Sequence, residues 1–267
     1  MLNKTQLLPD RPGIPPMAPM PEPEVVDPAA LAAAYRQGEI DLICVLGPTA
    51  SGKTRYAVQL AREMGNAHIL SADSRQVYMG MDIGTGKDLR EYGEVPYHLI
   101  DLVPAGTKYN IYQYQKAFAD AYAAVRAAGA IPILCGGSGL YIEAVTRAYK
   151  FEKENGLPAS ALPQRVYYIG TLVSREERVE RIDRRLEERL QEGLVEEVRG
   201  LLETVSPQDL IYYGLEYKFV TQYILGELSY DDMVVALGNA IHQFAKRQMT
   251  WFRGMERDGI RIHWVRP

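Results

Sequence analysis

Residues Gly47–Thr54 read GPTASGKT, a fit to G-x-x-x-x-G-K-[ST], between the apolar run DLICVLG and the helix-like RYAVQLAREM. Glycines at these positions let the backbone wrap so that successive N–H groups point at an anion. Gly47, Thr49, Ala50, Ser51, Gly52, Lys53 and Thr54 thus form a candidate phosphate cradle. A helix starting at Lys53 would add its positive dipole end. Lys53 would bring a point charge to the terminal phosphate and Thr54 a hydroxyl for Mg²⁺. The strand before and the helix after separate this segment from a chance glycine-rich turn.

A second reactive stretch, SADSRQVYMGMDIGTGK, spans 71–87. Asp73 stands at the carboxyl end of the second expected strand, the edge where open α/β sheets bind ligands. A carboxylate there can accept a proton from an incoming nucleophile; the plainer role is a turn aspartate capping Gln76 or Val77. Gln76 offers the paired donor and acceptor that read an adenine edge. An ordinary P-loop ATPase also needs an acid ending an apolar strand to hold the Mg²⁺ water shell. IPILC runs instead into GGSGLY, leaving Asp101 of YHLIDLV as the candidate, with a capping role its equal alternative.

Arg178, Arg181, Arg185 and Arg189 recur at spacings of three and four, along one helix flank. They would either reach a phosphate or pair with the many glutamates of that helix. Asn239, His242, Lys246, Arg247 and Arg253 mark the polar side of the last helix, suited to phosphate-backbone contact or simply to solvent. His242 alone reads as a surface histidine, and Trp251 and Phe252 as core anchors.

These groups need a frame. Short apolar runs at 42–47, 67–73, 97–102, 131–137 and 165–173, separated in several places by helical patterns, predict an α/β fold: a P-loop-type parallel sheet with helices on both faces. From 174 to 254 the chain turns helical, with Val179, Ile182, Leu186, Leu190, Leu194 and Val198 as one apolar stripe. A further helix over about 230–252 would bury Met233, Leu237, Ile241, Phe244 and Met249. DPAALAAAYRQGE predicts a short helix capped by Asp27, with Pro28 in its first turn. Residues 1–27, dense in proline, are expected to be a flexible tail, and 28–267 one domain.

With 267 residues, 47% of them hydrophobic, the chain can bury one sizeable core. A net charge of −4 excludes bulk electrostatic binding of nucleic acid, so any RNA contact needs a local basic patch. Cys44 and Cys135 lie in apolar runs as core thiols, which suits a reducing cytoplasm. No apolar run approaches the ~20 residues needed to span a membrane, and the N-terminus lacks a signal-peptide layout.

GPTASGKT, SADSRQVYMGMDIGTGK, HLIDLVP, GGSGLY, RIDRRLEERLQEGLVEEV and AKRQMTWFR, in this order over 42–254, resemble the tRNA dimethylallyltransferases, or tRNA isopentenyltransferases. The resemblance implies that the phosphates belong to dimethylallyl diphosphate, whose five-carbon group moves to N6 of adenosine 37 beside the anticodon. Asp73 then matches the aspartate that takes the N6 proton, Lys53 the diphosphate lysine, and Thr54 the threonine at diphosphate and Mg²⁺. Ser138 stands where the family has a threonine touching RNA near the target base. Arg181 and Arg185 align with family arginines and become diphosphate candidates. Ser74, Gln76, Lys246 and Arg247 complete the expected RNA or adenine contacts. A cytoplasmic monomer acting on the tRNA anticodon stem-loop is the implied protein.

Two departures stand out. The family's helical insertion after this region shrinks here to KFEKENGLPASALPQ (150–164), and its GY(K/R)E-like segment reads YYGLEYKFV, with Leu215 and Glu216 after the glycine. The 267 residues contain no motif like the zinc finger of eukaryotic relatives. The short insertion and acidic pI leave open prenyl transfer to free AMP, ADP or ATP, as in the related adenylate isopentenyltransferases. A small P-loop nucleotide kinase, or a nucleotide-binding module without turnover, is the third reading.

Overall fold

The structure, a computed structural model, describes residues 21–147 and 158–267. Leu42–Leu46 (β1) is buried at every position. Leu42, Cys44 and Leu46 enter one core cluster and Ile43 and Val45 another, the alternation a strand imposes. A strand apolar on both faces must sit inside a sheet covered on both sides. The remaining strands are β2 (Ala67–Ser71), β3 (Tyr78–Met79), β4 (Tyr97–His98), β5 (Val103–Pro104), β6 (Ile131–Gly136), β7 (Val166–Thr171) and β8 (Ile262–Val265). Six of them form one sheet in the order β4-β2-β6-β1-β7-β8, with every pairing parallel. The expected P-loop-type parallel sheet is present, with β8 as a strand the sequence reading did not anticipate.

From β1 the chain crosses the sheet one way to β2, and from β2 and β6 it crosses the other way. Right-handed crossovers then place the intervening helices on opposite faces. One face carries α1 (Pro28–Arg36) and α2 (Lys53–Met64), burying Leu31, Ala57, Val58, Leu60, Ala61 and Met64. The other carries α3 (Ile111–Ala127) and α4 (Gly139–Thr146), with Tyr114, Phe118, Tyr122, Tyr141 and Ile142. The reversal falls at β1, so the loop after it opens at the switch point where such sheets bind ligands.

The helical part comprises α5 (Arg175–Glu192), α6 (Leu194–Leu201), α7 (Pro207–Tyr213), α8 (Leu215–Ile224) and α9 (Tyr230–Arg257). The stripe read as one helix is two: Gly193, at φ +105°, ends α5 and starts α6. Ile182, Leu186, Leu194 and Val198 are buried, whereas Val179 stays exposed. Along α9, Met233, Leu237, Ile241, Ala245, Met249, Phe252 and Met255 are buried. Phe244 is only half-buried. Trp251, expected in the core, is 42% exposed.

Two strand expectations change. The run 67–73 stops at Ser71. The run 97–102 bends at Leu99 (φ +67°) and Asp101 (φ +56°). That bend lets the amides of Asp101, Leu102 and Val103 reach the carbonyls of Gln76 and Val77, forming the separate β3–β5 pair over the ligand edge. The Asp27 cap forms, its carboxylate accepting from the amides of Ala29 and Ala30. Residues 21–27, expected in a flexible tail, run beside β8, where the Glu24 amide donates to the Trp264 carbonyl at 2.7 Å. Residues 1–20 of that tail, and 148–157, which include the first part of the shortened insertion, lie outside the described residues.

The β2 and β6 ends are stitched together: Ala72 N–H donates to Cys135 O and Ser138 N–H to Ala72 O. A Cβ on Gly136 would lie 2.2 Å from Ala72 O, a backbone atom that cannot step aside alone. Gly136→Ala should therefore lower stability by about 1–3 kcal/mol and reduce turnover, read by urea denaturation and by assay. Wild-type values for both would contradict this packing.

Candidate active site

Gly52 takes the left-handed conformation (φ +82°) and is the N-cap of α2. Among the described residues, no protein acceptor meets the amides of Gly52, Lys53 and Thr54, so they remain for an anion. Two other cradle members are committed elsewhere. Ser51 Oγ is 2.7 Å from Thr171 Oγ1 in a buried contact that moors the loop to β7. The Thr49 amide donates to Gln248 Oε1 at 2.8 Å, and Gln248 Nε2 donates to Gly137 O at 2.9 Å. Thr49 is thus held by α9 rather than offered to phosphate. The half-buried Lys53 rests its ammonium near Pro48 O at 3.4 Å. Burial pushes its pKa down; the Asp73 carboxylate opposes that shift, and the Arg185 and Arg189 guanidiniums reinforce it.

Asp73 follows β2, half-buried, with Oδ1 accepting the Arg75 amide at 2.9 Å. The turn role is real, but it uses one oxygen, and among the described residues no hydrogen bond engages Oδ2. Beside it, Ser138 Oγ accepts the Ser74 amide at 3.0 Å and lies 3.2 Å from Ser74 Oγ. The structure thus brings Asp73, Ser74 and Ser138 together. Gln76 is turned inward: Oε1 accepts from Ser71 Oγ at 3.0 Å and Nε2 donates to Gly86 O at 3.2 Å, so its amide is not open to read adenine. Cys135 lies beneath, its thiol pushed up to about 12 by burial and facing the Thr54 hydroxyl, a neutral and inert group. Tyr114 donates to Ser71 O at 3.0 Å and stacks on Tyr141 at 3.9 Å, supporting the strand end that carries Asp73.

Of the arginines on α5, Arg181 comes nearest the loop: its Nη1 would be 3.5 Å from a Cβ on Gly52, while Nη2 bonds Glu177 at 2.6 Å. Arg185 lies one turn on, 2.5 Å from Asp88 and 3.5 Å from Gly86 O. Arg189 is nearly buried, bonding Glu216 at 2.8 Å and Gly84 O at 3.2 Å. Glu216, part of the altered GY(K/R)E-like segment, therefore pairs with an arginine instead of facing solvent. Asp101 pairs with Lys87, whose ammonium also meets Asp82 and Tyr78 O, and so is spent as a metal acid. His242 is satisfied by Asp183 at 2.8 Å. Lys246 and Arg247 are exposed on α9.

Two residues escaped the sequence reading. Gln248 is a polar residue at a buried position of an amphipathic helix, a signal that was available. Glu197 accepts from the amides of Asp82, Ile83 and Gly84 and from the Tyr217 hydroxyl, pinning the loop that Arg185 and Arg189 abut. Nothing local in the sequence marks that role.

Unbonded amides and a lysine at the switch point, with Asp73 following the neighbouring strand β2, are the arrangement of a P-loop-fold enzyme. The family model described as IPP transferase matches residues 76–165 and 150–255, and the isopentenyl transferase model matches 40–95. The chain is 45% identical to tRNA dimethylallyltransferase 2 of Bacteroides fragilis, over 85% of this chain and 93% of that protein. It is 47% identical to tRNA dimethylallyltransferase 1 of Parabacteroides distasonis, over 84% and 92%. The crystal structure of the full-length tRNA isopentenylpyrophosphate transferase from Bacillus halodurans superposes with a TM-score of 0.73 at 27% identity, covering 84% of this chain and 89% of that one. This chain belongs to the IPP transferase family. The Bacteroides alignment spans 285 positions, more than the part of this chain it covers. That relative therefore carries residues this chain lacks, and the family match divides at 150–165, where the insertion is short.

Gln248→Ala frees the Thr49 amide and unties the loop from Gly137. The expected result is an increase of about 5- to 30-fold in Kd for inorganic diphosphate, by titration calorimetry. An unchanged Kd would show that α9 does not shape the cradle.

Proposed function

We infer that this chain transfers the dimethylallyl group of dimethylallyl diphosphate to tRNA and releases diphosphate, as the names of its relatives state for them. The acceptor atom we assign is N6 of adenosine 37, next to the anticodon. The observation that carries the assignment is the half-buried Lys53 at the unbonded amides of the phosphate loop, on the sheet edge where Asp73 follows β2 with one carboxylate oxygen engaged.

Adenine N6 is a poor nucleophile because its lone pair is delocalised into the ring. As N6 bonds to C1 of the dimethylallyl group, the C1–O bond to diphosphate breaks, and the N6 proton passes to the free Oδ2 of Asp73. The departing diphosphate accumulates charge against the Gly52, Lys53 and Thr54 amides, the Lys53 ammonium and Arg181. Its arrival would give the Lys53 ammonium an anionic partner and Arg181 one besides Glu177.

Thr54 fits a Mg²⁺ site. Among the described residues no three His, Cys, Asp or Glu side chains gather, so an ion would be held by the Thr54 hydroxyl, diphosphate oxygens and waters, as suits Mg²⁺. When bound it would neutralise charge on the leaving group. On the RNA side, Ser74 and Ser138 flank Asp73, and Lys246 and Arg247 supply a local basic patch for phosphates. Among the described residues no helix is long and apolar enough to cross a membrane.

Incubation with labelled dimethylallyl diphosphate should label tRNA and leave AMP unlabelled; label in AMP alone would overturn the acceptor. Asp73→Ala should lower kcat by ~10²–10⁴ with diphosphate affinity intact, whereas Lys53→Ala should weaken diphosphate binding. Near-wild-type turnover of the first, or unchanged affinity of the second, would contradict the assigned roles.

A further inference from the structure

Resting on the RNA-acceptor reading, we propose that the exposed indole of Trp251 is a stacking platform for a nucleobase adjacent to the target adenosine. The ring is on the surface, 42% exposed, yet fixed. Its Nε1 donates to Glu143 Oε2 at 3.0 Å, and Glu143 is itself held by Arg147, which also pairs with Asp258. Gly139 makes the seat: a Cβ there would lie 2.3–2.5 Å from the five-membered part of the indole. An aromatic plane held at its edge and backed on one side by Gly139 binds a base at little cost in side-chain entropy.

Position ties this plane to the reaction. Trp251 follows Gln248 by three residues on α9, hence on the same flank, and Gln248 touches the phosphate loop and Gly137. Gly139, beneath the indole, adjoins Ser138, whose hydroxyl holds Ser74 next to Asp73. The indole therefore stands at the rim of the acceptor side. An open groove of about 490 Å³ runs along it, lined by Thr250, Arg247 and Met255 among others. Exposed Lys246 and Arg247 on the same helix supply the positive charge an RNA backbone requires, while Arg147 offsets the acids Glu143 and Asp258.

The occupant follows from the chemistry. N6 cannot meet both Asp73 and the donor carbon while its base is stacked in the anticodon loop, so the target must leave the stack. Its neighbour then loses a covered face, and the indole covers it. Stacking of this kind tolerates any base.

The chain has two tryptophans, and Trp264 is 5% exposed, so a fluorescence change on adding RNA reports Trp251. Anticodon stem-loop RNA should quench the wild-type emission. Trp251→Leu, which keeps apolar bulk over Gly139, should abolish the quench and raise KM for the RNA about 5- to 100-fold, with KM for dimethylallyl diphosphate and Tm unchanged. Trp251→Phe should recover most of the RNA KM. A wild-type RNA KM in the leucine variant, a quench that persists in it, or a parallel shift of both KM values and Tm would overturn the proposal. Wild-type protein that prenylates no RNA would sink the acceptor reading and this platform together; the other outcomes sink the platform alone.

Discussion

Lys53, at the start of α2, and Asp73, just after β2, carry opposite charges at the same edge of the sheet without neutralising each other. Opposite charges in a partly desolvated site attract strongly, and a direct ion pair would leave the lysine no charge for an anion and the aspartate no oxygen for a proton. The structure keeps them apart by giving each a backbone partner: Lys53 rests on Pro48 O, and Asp73 takes the Arg75 amide. Among the described residues, no ion pair joins them. In the proposed reaction, an anion at the loop would meet the Lys53 ammonium, and an amine beyond it the second Asp73 carboxylate oxygen. Three loops set that spacing, those after β1, β2 and β6, clamped by the Gly136–Ala72 approach and by the two-sided amide of Gln248.

The other charges near the site are arranged so as not to compete. Lys87 is enclosed by Asp82, Asp101 and Tyr78 O, Arg189 by Glu216 and Gly84 O, and Glu197 by three amides and a phenol. Each is a buried or half-buried charge matched by partners, as burial demands. Their combined effect is to hold the 82–88 loop against α5 and α6. That loop carries the Asp88 and Gly86 contacts of Arg185, so the arginine flank and the loop position each other. Among the described residues Arg181, near Gly52, has only an i,i+4 partner, Glu177, an interaction weak enough for an incoming diphosphate to compete with.

Much of this was legible in the sequence, for definite reasons. GPTASGKT is local: the strand, the turn and the helix start it needs lie within a few residues, so its geometry follows from its own types. The parallel sheet was legible because β1 is apolar on both faces. Gln76 was misread because side-chain chemistry does not reveal whether an amide points out or, as here, at Ser71 and Gly86. Asp101 was ambiguous until the bend at Leu99 and Asp101 carried it to Lys87. Trp251 was placed in the core by its hydrophobicity, yet the Gly139 seat and the Glu143 acceptor that keep it on the surface are more than a hundred residues away. The break at Gly193 could have been read, since a glycine inside a long apolar stripe is a frequent helix end. Contacts distant in sequence, Gln248 with Thr49 and Glu197 with the 82–84 amides, are set by the packing of α9 and α6 and have no local signature.

The central claim is that one cavity holds the leaving anion at Lys53 and the proton acceptor at Asp73. A crystal structure with an unreactive thiolodiphosphate analogue and anticodon stem-loop RNA tests it most directly. The account predicts diphosphate oxygens on the Gly52, Lys53 and Thr54 amides and adenine N6 within about 2.6–3.2 Å of Asp73 Oδ2. Diphosphate bound elsewhere, or an Asp73 carboxylate turned away from N6, would contradict it.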